Sequence, residues 1–537
     1  MLPKTFSSLL PLLFAGVLLG QPAIVEKIDV AIVNVDVTVT GADGKPVAGL
    51  SRDDFTIFDD GRPQTMTNFY AVSSAPVPSA AGGTISAPPQ EPRFRRRVFV
   101  LVDIFHTTKI RLALALARLE KMIDDSFQTG EYDWSIGVLG RGVTMVLPLT
   151  SNKAAVHYVF EQMVKAGDRT THAPAPDLGR QADIPNLIPE FKLPSQPSSP
   201  VDMNALIESA MAFDDSERVL RARFTTNAIT DALRGFASTP GKKILLFLTG
   251  DIGLNDFTLS IDNHTGVFQT RGLNANLSER SREINDLRNA LIQEANASGV
   301  SMYMFNVEGL DAPMDMGAAP KPQTNTSAIF WLAKETGGRV MTGNDADADL
   351  RQFAEASSNY YSLGYRSPHG DDGKPHRIEV RLKNGVRAQL DYRSTYTSSP
   401  TEEQLERAMQ SPIAAALLPD AIPVKLATGA AQADKRVTLP VSVKVPFSAL
   451  QFLPVTKGSS AHVRIYLVVF SDAGKSLFQG NFPLRLHFDG PVETSGTMVY
   501  KNAVVLNRGA AIQIVAAVRD EVTDAIGAAT ISVKSPE

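Results

Sequence analysis

The chemistry open to this chain is limited to oxygen and imidazole groups, because none of its 537 residues is Cys. Thiolate zinc sites, cysteine nucleophiles and disulfide bonds are therefore excluded together. The sequence also contains no Gly-x-Ser-x-Gly motif of a hydrolase nucleophile and no phosphate-binding Gly-x-x-x-x-Gly-Lys-Ser/Thr loop. We accordingly expect no catalytic residue and predict that the protein is not an enzyme.

Two polar segments have some features of metal sites without completing one. Residues 345–349 alternate Asp with Ala like the acids of a calcium loop, but Leu350 stands where such a loop needs glycine. These acids are predicted to lie at the start of a helix. The eight His residues form no His-Glu-x-x-His motif, and His369 and His376 are expected to lie in solvent beside a polar turn.

The charge balance gives no reason to expect a nucleic-acid partner. Lys and Arg number 53, Asp and Glu number 57, and the formal net charge is −4. Proteins that bind nucleic acid usually carry a basic face, and this composition does not supply one. The short basic cluster at residues 93–97 is predicted to be a solvated linker end.

The first residues have the layout of a secretory signal peptide. Lys4 precedes an apolar run over residues 9–19. A membrane-spanning helix needs about 20 apolar residues, and this run has roughly half that number. We therefore expect residues 1–22 to be a signal peptide, which leaves a protein that is secreted or held in the periplasm or cell envelope, with no permanent membrane anchor.

The elements that must position any site begin with a β-rich segment. Residues 28–40 alternate and are rich in β-branched side chains, and a glycine-containing turn follows them. This pattern predicts an N-terminal β-sandwich-like domain at residues 24–73. Residues 74–94 are rich in Pro, Ala and Ser and are predicted to be a linker.

The pattern then changes to alternating strands and helices. Residues 98–102 form the continuous apolar run that is typical of parallel strands buried on both faces, and a helical period follows over residues 110–125. The alternation recurs as far as the strand at residues 300–307. It predicts a central doubly wound α/β domain with a mainly parallel, Rossmann-type sheet at residues 95–397, interrupted by a Pro-rich insertion at residues 167–216.

The last part of the chain is again β-rich. Short strands separated by turns predict a C-terminal β-sandwich-like domain at residues 411–537. A polar helix at residues 401–409 and the following Pro412 separate it from the central domain, so we expect it to fold on its own. Three folded domains also suit the length, at roughly 150 residues per domain.

Two phrases carry a family resemblance. Residues 35–55 contain Val-Asp-Val-Thr-Val, Gly-Lys-Pro-Val and Leu-Ser-Arg-Asp-Asp-Phe. Residues 332–339 read Leu-Ala-Lys-Glu-Thr-Gly-Gly-Arg, and Tyr-Tyr-Ser-Leu-Gly-Tyr follows at residues 360–365. In this order they resemble the von Willebrand factor A-related family of acidobacterial secreted proteins, over roughly residues 28–397. The resemblance implies a von Willebrand A-like fold for the central domain.

The resemblance also implies where a metal would bind. In von Willebrand A domains, Asp-x-Ser-x-Ser, a distant Thr and a distant Asp hold a hard divalent cation at the carboxyl ends of the parallel strands. In this chain Asp103 matches the leading Asp and Thr107 can replace the last Ser, but Phe105 occupies the middle hydroxyl position.

The two distant positions also depart from the family pattern. Thr226 can stand for the distant Thr, although an alignment on the following residues would place Asn227 there. The usual Thr-Asp-Gly reads Thr-Gly-Asp, which displaces the acid to Asp251. The implied ligands are therefore Asp103, Thr107 and Asp251, with Thr226 or Asn227, in a degenerate site. We expect no cofactor, and Mg²⁺ or Mn²⁺ is the alternative.

These expectations together predict a secreted, non-catalytic binding protein of adhesion type whose ligand is a protein or an envelope component. Two alternatives stay open. The first is a structural cell-envelope or assembly component with no ligand at the A-like site. The second is a hydrolase whose oxygen-only site is built from acids such as Asp103 and Asp251.

Overall fold

The computed structural model describes residues 32–73, 94–104, 107, 109–129, 132–140, 142–169, 203–250, 252–254, 273–307, 327–341, 346–383, 387–433, 436–509 and 511–534. The predicted signal peptide, most of the predicted linker and the middle of the predicted insertion lie outside these residues. Asp251 lies outside them too. No helix in the described parts of the chain is long and apolar enough to cross a membrane.

The described residues contain eight α-helices. These are α1 (Lys109–Thr129), α2 (Lys153–Arg169), α3 (Met203–Gly235), α4 (Leu273–Ser298), α5 (Ser327–Glu335), α6 (Ala346–Ser358), α7 (Thr401–Met409) and α8 (Ala414–Leu417). The first part of α3 falls in the predicted insertion, which is therefore partly helical. Asp347 and Asp349 lie in the first turn of α6, where acids interact favourably with the helix dipole.

The strands fall into three groups along the chain. The first group is β1 (Ile32–Thr40), β2 (Phe55–Asp59), β3 (Arg62–Gln64) and β4 (Met66–Val72). The second is β5 (Arg96–Asp103), β6 (Tyr132–Leu139), β7 (Val143–Thr150), β8 (Lys242–Thr249), β9 (Val300–Asn306) and β10 (Val340–Met341). The strands that follow in the chain complete the sheets of the first group and are β11 (Tyr360–Arg366), β12 (Pro375–Leu382), β13 (Gln389–Asp391) and β14 (Thr395–Thr397).

The C-terminal strands make up the third group. They are β15 (Lys425–Thr428), β16 (Gln432–Ala433), β17 (Val437–Pro446), β18 (Leu453–Val455), β19 (Gly458–Ser471), β20 (Ser476–Phe488), β21 (Thr497–Leu506), β22 (Ala511–Asp520) and β23 (Ile526–Lys534).

The central sheet has the strand order β10-β9-β8-β5-β6-β7. All neighbouring pairs are parallel except β6 and β7. Every residue of β5 is buried, as the apolar run predicts. One face of the sheet packs on α3, α4 and α5, and the other packs on α1, α2 and α6. The prediction of a mixed α/β fold with a mainly parallel sheet is confirmed.

The strands that precede and follow the α/β unit (residues 94–358) in the chain form two four-stranded sheets. These sheets share one apolar core. Their orders are β13-β1-β11-β4 and β14-β12-β2-β3. We call them the β-sandwich (residues 32–72 and 360–397). The sequence pattern instead predicts that its two halves belong to different domains. The structure differs because β11 lies between β1 and β4 and hydrogen-bonds to both, so the N-terminal strands cannot complete their sheet alone.

The α/β unit is therefore inserted between the two halves of the β-sandwich. Gly337 and Gly338, directly after α5, form one junction between the two parts. Gly337 has φ +75° and lies against the backbone of Tyr392, while a Cβ added to Gly338 would stand 1.9 Å from the carbonyl oxygen of Met302 in β9. Only glycine allows the backbones to approach so closely.

The C-terminal β unit (residues 425–534) contains two further sheets. β15, β16 and β21 pair with β17, while β18, β20 and β22 pair with β19, and β23 pairs with β22. The sheets enclose a common core. The second sheet also buries Tyr466, Val468 and Phe470 of β19 against α7 and α8. The predicted boundary at residue 411 therefore separates α7 from a sheet that it covers.

Candidate functional site

The carboxyl edge of the central sheet brings together two of the predicted ligand residues. Asp103 ends β5 and Thr249 ends the neighbouring strand β8. The Thr249 hydroxyl donates a 2.6 Å hydrogen bond to Asp103 Oδ2, and Asp103 is fully buried. Thr107 lies at the same edge, where its Oγ1 accepts a 3.0 Å hydrogen bond from the backbone N–H of Gly250. Both predicted ligands thus bind the residues at the end of β8.

The distant threonine position is in α3. The Thr226 side chain is buried and its hydroxyl has no hydrogen-bond partner among the described residues, whereas Asn227 is exposed. Ala222, one turn before Thr226, lies 3.8 Å from the position that a Cβ would take at Gly253, in the segment that follows β8. The sequence left Thr226 and Asn227 open as candidates for the distant ligand position, and only Thr226 lies on the buried side of the helix.

These residues do not fit a magnesium site as they stand. Magnesium requires near-octahedral oxygen ligands and gives up its water reluctantly. One oxygen of the buried Asp103 carboxylate already accepts from Thr249, and Thr107 already accepts from the backbone. Phe105 and Asp251 lie outside the described residues. The described arrangement is a hydrogen-bonded junction between two strand ends, and the expectation that no metal binds there stays a prediction.

A groove of about 1160 Å³ lies at the opposite end of the α/β unit, between α5 and the β-sandwich. Phe330 and Trp331 of α5 form part of its wall and are 47% and 49% exposed. The groove lies beside Gly338 and Val340, at the amino end of β10. Its polar wall residues include Lys334, Arg377, Glu379 and Gln389.

Sequence reasoning missed this groove, although α5 contains a signal for it. The buried residues of the helix are Ala328, Ile329, Leu332 and Ala333. Phe330 and Trp331 fall between these buried pairs and so face away from the core. An amphipathic helix that carries two adjacent aromatic side chains on its outer face indicates a possible contact surface. The opposite wall could not be predicted, because it belongs to strands distant in sequence.

Two half-buried arginines, Arg339 in the groove wall and Arg393 near it in the chain, connect the α/β unit to the β-sandwich. Arg339 donates a 2.6 Å hydrogen bond from Nε to Asp391 Oδ2 and another to the Thr40 hydroxyl. Arg393 donates to the carbonyl oxygen of Asn296 at 3.0 Å. These contacts join the α/β unit to both halves of the β-sandwich, so the two walls have a fixed spacing.

The described part of the basic cluster, residues 94–97, is not a solvated linker end. Arg96 and Arg97 are 1% and 7% exposed. Arg96 donates hydrogen bonds to the carbonyl oxygens of Ser357 and Ser358, at 3.1 and 2.7 Å. A guanidinium at the last carbonyl groups of a helix is favourable, and here it fixes the start of β5 against the end of α6.

The expectation for His369 and His376 is also wrong. The His376 side chain is 8% exposed, and the two imidazole rings stack with centroids 3.7 Å apart and an interplanar angle of 7°. They lie beside Asp59 and Asp60, at the other end of the sequence of the β-sandwich. The sequence around the polar turn could not reveal these contacts, because the acids lie more than 300 positions earlier in the chain. Asp59 and His369, for example, are 310 positions apart.

No protein-family model matches the chain, and no curated protein matches it. Solved structures that match include the conserved hypothetical protein BatB from Bacteroides thetaiotaomicron, with 11% identity, coverage of 49% of this chain and 98% of the other, and a TM-score of 0.23. An aerotolerance-related membrane protein from Bacteroides fragilis matches with 12% identity, the same coverage and a TM-score of 0.24.

The pilus adhesin SpaC from Lactobacillus rhamnosus GG matches with 9% identity over 87% of this chain and 58% of its own, with a TM-score of 0.25. Similarities of this strength carry no argument about the fold or the function of this chain.

Proposed function

We propose that this chain is a secreted, non-catalytic binding protein of adhesion type, built from a doubly wound, von Willebrand A-like α/β unit that is inserted in a β-sandwich and followed by a C-terminal β unit. Its ligand is a protein segment that binds in the groove between α5 and the β-sandwich. The observation that carries this proposal is the pair of half-exposed aromatic side chains, Phe330 and Trp331, beside that groove.

Exposure of these two side chains is costly unless a partner covers them. Full burial of a large apolar side chain stabilises a complex by roughly 1.5–3 kcal/mol. Trp is also among the residues most often found at the energetic centre of protein interfaces. Phe330 and Trp331 are adjacent on a helix whose other face is in the core, so little conformational entropy is lost when a ligand covers them.

The shape of the groove favours an extended protein segment. β13, which lines it, is at the end of its sheet in the order β13-β1-β11-β4. Among the described strands, nothing pairs with the outer edge of β13. A ligand strand can add to such an edge through main-chain hydrogen bonds while its apolar side chains reach an adjacent surface. Here that surface is the aromatic pair of α5.

The test compares a double variant, Phe330→Ser with Trp331→Ser, with the control Tyr158→Ser. Tyr158 is 63% exposed on α2, in a different part of the α/β unit. The probe is the envelope fraction of the producing cells, and the measurement is saturable co-sedimentation of the purified protein. We expect the wild type and Tyr158→Ser to bind, and the double variant to bind at least tenfold more weakly.

A second readout uses the two Trp residues of the chain. Trp134 is fully buried, so collisional quenching of fluorescence reports mainly on Trp331. Ligand binding should reduce that quenching. Absence of saturable binding, or equal binding by the double variant, would favour the structural-component alternative. Turnover in a panel of ester, peptide and glycoside substrates that is lost in Asp103→Asn would favour the hydrolase.

A further inference from the structure

We propose that Asp59, Asp60, His369 and His376 form a zinc site at one end of the β-sandwich. Asp59 ends β2 and Asp60 begins the turn to β3, while the histidines come from the connection between β11 and β12 and from β12 itself. One donor atom from each of the four side chains lies within 4.8 Å of the other three. Nothing in the proposed function depends on this site.

The spacing of the donor atoms suits a tetrahedral ion. His369 Nε2 lies 3.1 Å from Asp59 Oδ1 and 3.4 Å from Asp60 Oδ2. His376 Nδ1 lies 2.9 Å from the same Asp60 oxygen. A tetrahedral zinc ion with bonds of about 2.0–2.1 Å places its neighbouring ligand atoms about 3.3 Å apart. The two stacked, nearly parallel rings cannot both direct an in-plane lone pair at one ion, so the ring of His369, the more exposed of the two, must rotate for the four atoms to surround it.

The carboxylates are held by groups outside the cluster. Asp59 Oδ2 accepts hydrogen bonds from the hydroxyls of Tyr365 and Tyr396, at 2.8 and 2.7 Å. Asp60 Oδ1 accepts from the backbone N–H of Arg377 at 2.9 Å. The second oxygen of each carboxylate is thus the one that faces the histidines. Such outer hydrogen bonds are a regular feature of protein metal sites because they orient the ligands.

An outer carboxylate also orients one histidine. His376 Nε2 lies 3.0 Å from Asp372 Oδ1. A proton on Nε2 donates to Asp372, which leaves the Nδ1 lone pair directed at the cluster. A carboxylate that accepts from the far nitrogen of a metal-bound imidazole fixes its tautomer and raises its basicity.

The two carboxylates of the cluster need a positive charge beside them. Asp59 is fully buried, and a buried carboxylate needs compensation for its lost hydration. A divalent ion supplies two positive charges between neutral imidazoles. Two nitrogen and two oxygen donors suit zinc better than calcium or magnesium, which prefer oxygen alone.

The site would join chain segments on both sides of the inserted α/β unit. Four protein ligands leave no open position, which is typical of structural zinc rather than catalytic zinc. The Asp60 and His369 side chains are 42% and 23% exposed, so an ion can reach the site from solvent. Zinc there would hold the β2–β3 turn against the β11–β12 connection and thereby stabilise the β-sandwich.

The test is calorimetric titration of ZnCl₂ into the tag-free full chain after chelator treatment. We expect one zinc per chain, a melting temperature that rises with zinc and falls again with chelator, and an intense tetrahedral absorption spectrum with Co²⁺. Asp60→Asn and His369→Gln should weaken zinc binding at least 100-fold. Asp372→Asn, which alters only an outer partner, should weaken it roughly tenfold.

The matched control is His157→Ala. His157 also lies between two carboxylates, 3.3 Å from Glu120 and 2.7 Å from Asp124, but Lys153 pairs with Asp124. This variant should bind zinc like the wild type. Asp60→Asn is the decisive variant because Asp60 is exposed and Asn tolerates its positive φ of 47°, so the metal-free fold should be kept. Absence of stoichiometric zinc in the wild type, or unchanged affinity in Asp60→Asn, would overturn the proposal.

Discussion

At the residue scale, the hydrogen bond from the Thr249 hydroxyl to the Asp103 carboxylate makes one of its oxygens less available as a metal ligand. The sequence correctly places this residue at the end of a buried strand, because an apolar run of five residues precedes it. It could not identify the partner, since Thr249 is 146 positions away. The carboxylate is buried and accepts from that hydroxyl, so its first role in this structure is to join the ends of β5 and β8.

We predict that millimolar Mg²⁺ or Mn²⁺ leaves the melting temperature unchanged. A cation present at about 100 times its Kd would stabilise the fold by roughly 2.7 kcal/mol, which a thermal melt detects easily. Asp103→Ala should lower the free energy of unfolding by about 1–3 kcal/mol with or without the cation, because the Thr249 hydroxyl loses a buried acceptor. A magnesium-dependent rise that disappears in Asp103→Ala would contradict this and restore a working metal site.

Asp231 in α3 offers a test at the same scale. Burial is the main reason that its pKa is raised to about 6; Arg234 opposes the shift and Glu294 adds to it. Because the folded-state pKa is above the unfolded value of 3.8, this group stabilises the fold below about pH 4 and loses that contribution as the pH rises through 6. At pH 7 the ionised, partly buried carboxylate is therefore destabilising.

We expect Asp231→Asn to raise the free energy of unfolding at pH 7 by about 1–2 kcal/mol, allowing for partial solvent screening. The gain should shrink towards pH 4, as measured by urea unfolding at several pH values. Asp472→Asn, at an exposed turn, is the control and should change little. A gain that is the same at pH 4 and pH 7 would show that burial of the carboxylate is not its cause.

At the element scale, the junction after α5 depends on the absence of a side chain. Gly338→Ala would place a Cβ against the backbone of β9, which cannot move without disturbing the central sheet. We expect a loss of about 3 kcal/mol or more. Gly140→Ala is the control, since nothing lies within 4 Å of the added Cβ there. Comparable urea midpoints for the two variants would contradict this prediction, because they would show that the backbone at the junction shifts to accommodate the added methyl group.

The elements themselves were predictable where the pattern is local. The apolar run of β5, the helical period of α1 and the alternation of β1 all have the predicted secondary structure. Pairing was not predictable, because the alternation of β1 says which face is buried and nothing about which strand lies alongside. The same limit hid the groove, which joins α5 to the later strands β12, β13 and β14, and the Asp–His cluster, which joins segments from the two ends of the first 397 residues.

At the scale of the whole molecule, α7 and α8 connect the α/β unit to the C-terminal β unit. Leu405 and Met409 of α7 pack on β19 and β22, and Glu402 pairs with Arg464 at 2.7 Å. On the other side, the Thr239 hydroxyl donates to the Leu417 carbonyl at 2.9 Å. The helices therefore belong as much to the C-terminal β unit as to the unit before it.

This arrangement changes the expectation for an isolated C-terminal fragment. Residues 399–537 should unfold cooperatively, whereas residues 411–537 should be less stable by at least about 3 kcal/mol, because Leu405 and Met409 no longer cover the sheet. Urea unfolding followed by circular dichroism compares the two fragments. Equal midpoints would show that α7 contributes nothing to the C-terminal unit and that residue 411 is an adequate boundary.

The insertion of the α/β unit has a mechanical consequence. Tension along the described chain enters the β-sandwich through β1 and leaves it through β14. Both ends of the inserted unit join strands of that same sandwich, at β4 and β11, which are hydrogen-bonded neighbours. A pulling force must therefore break pairings within the β-sandwich, those of β1 with β11 and β13 or that of β14 with β12, before any of it stretches the central parallel sheet. The groove beside α5 would keep its shape under load until the sandwich itself yields.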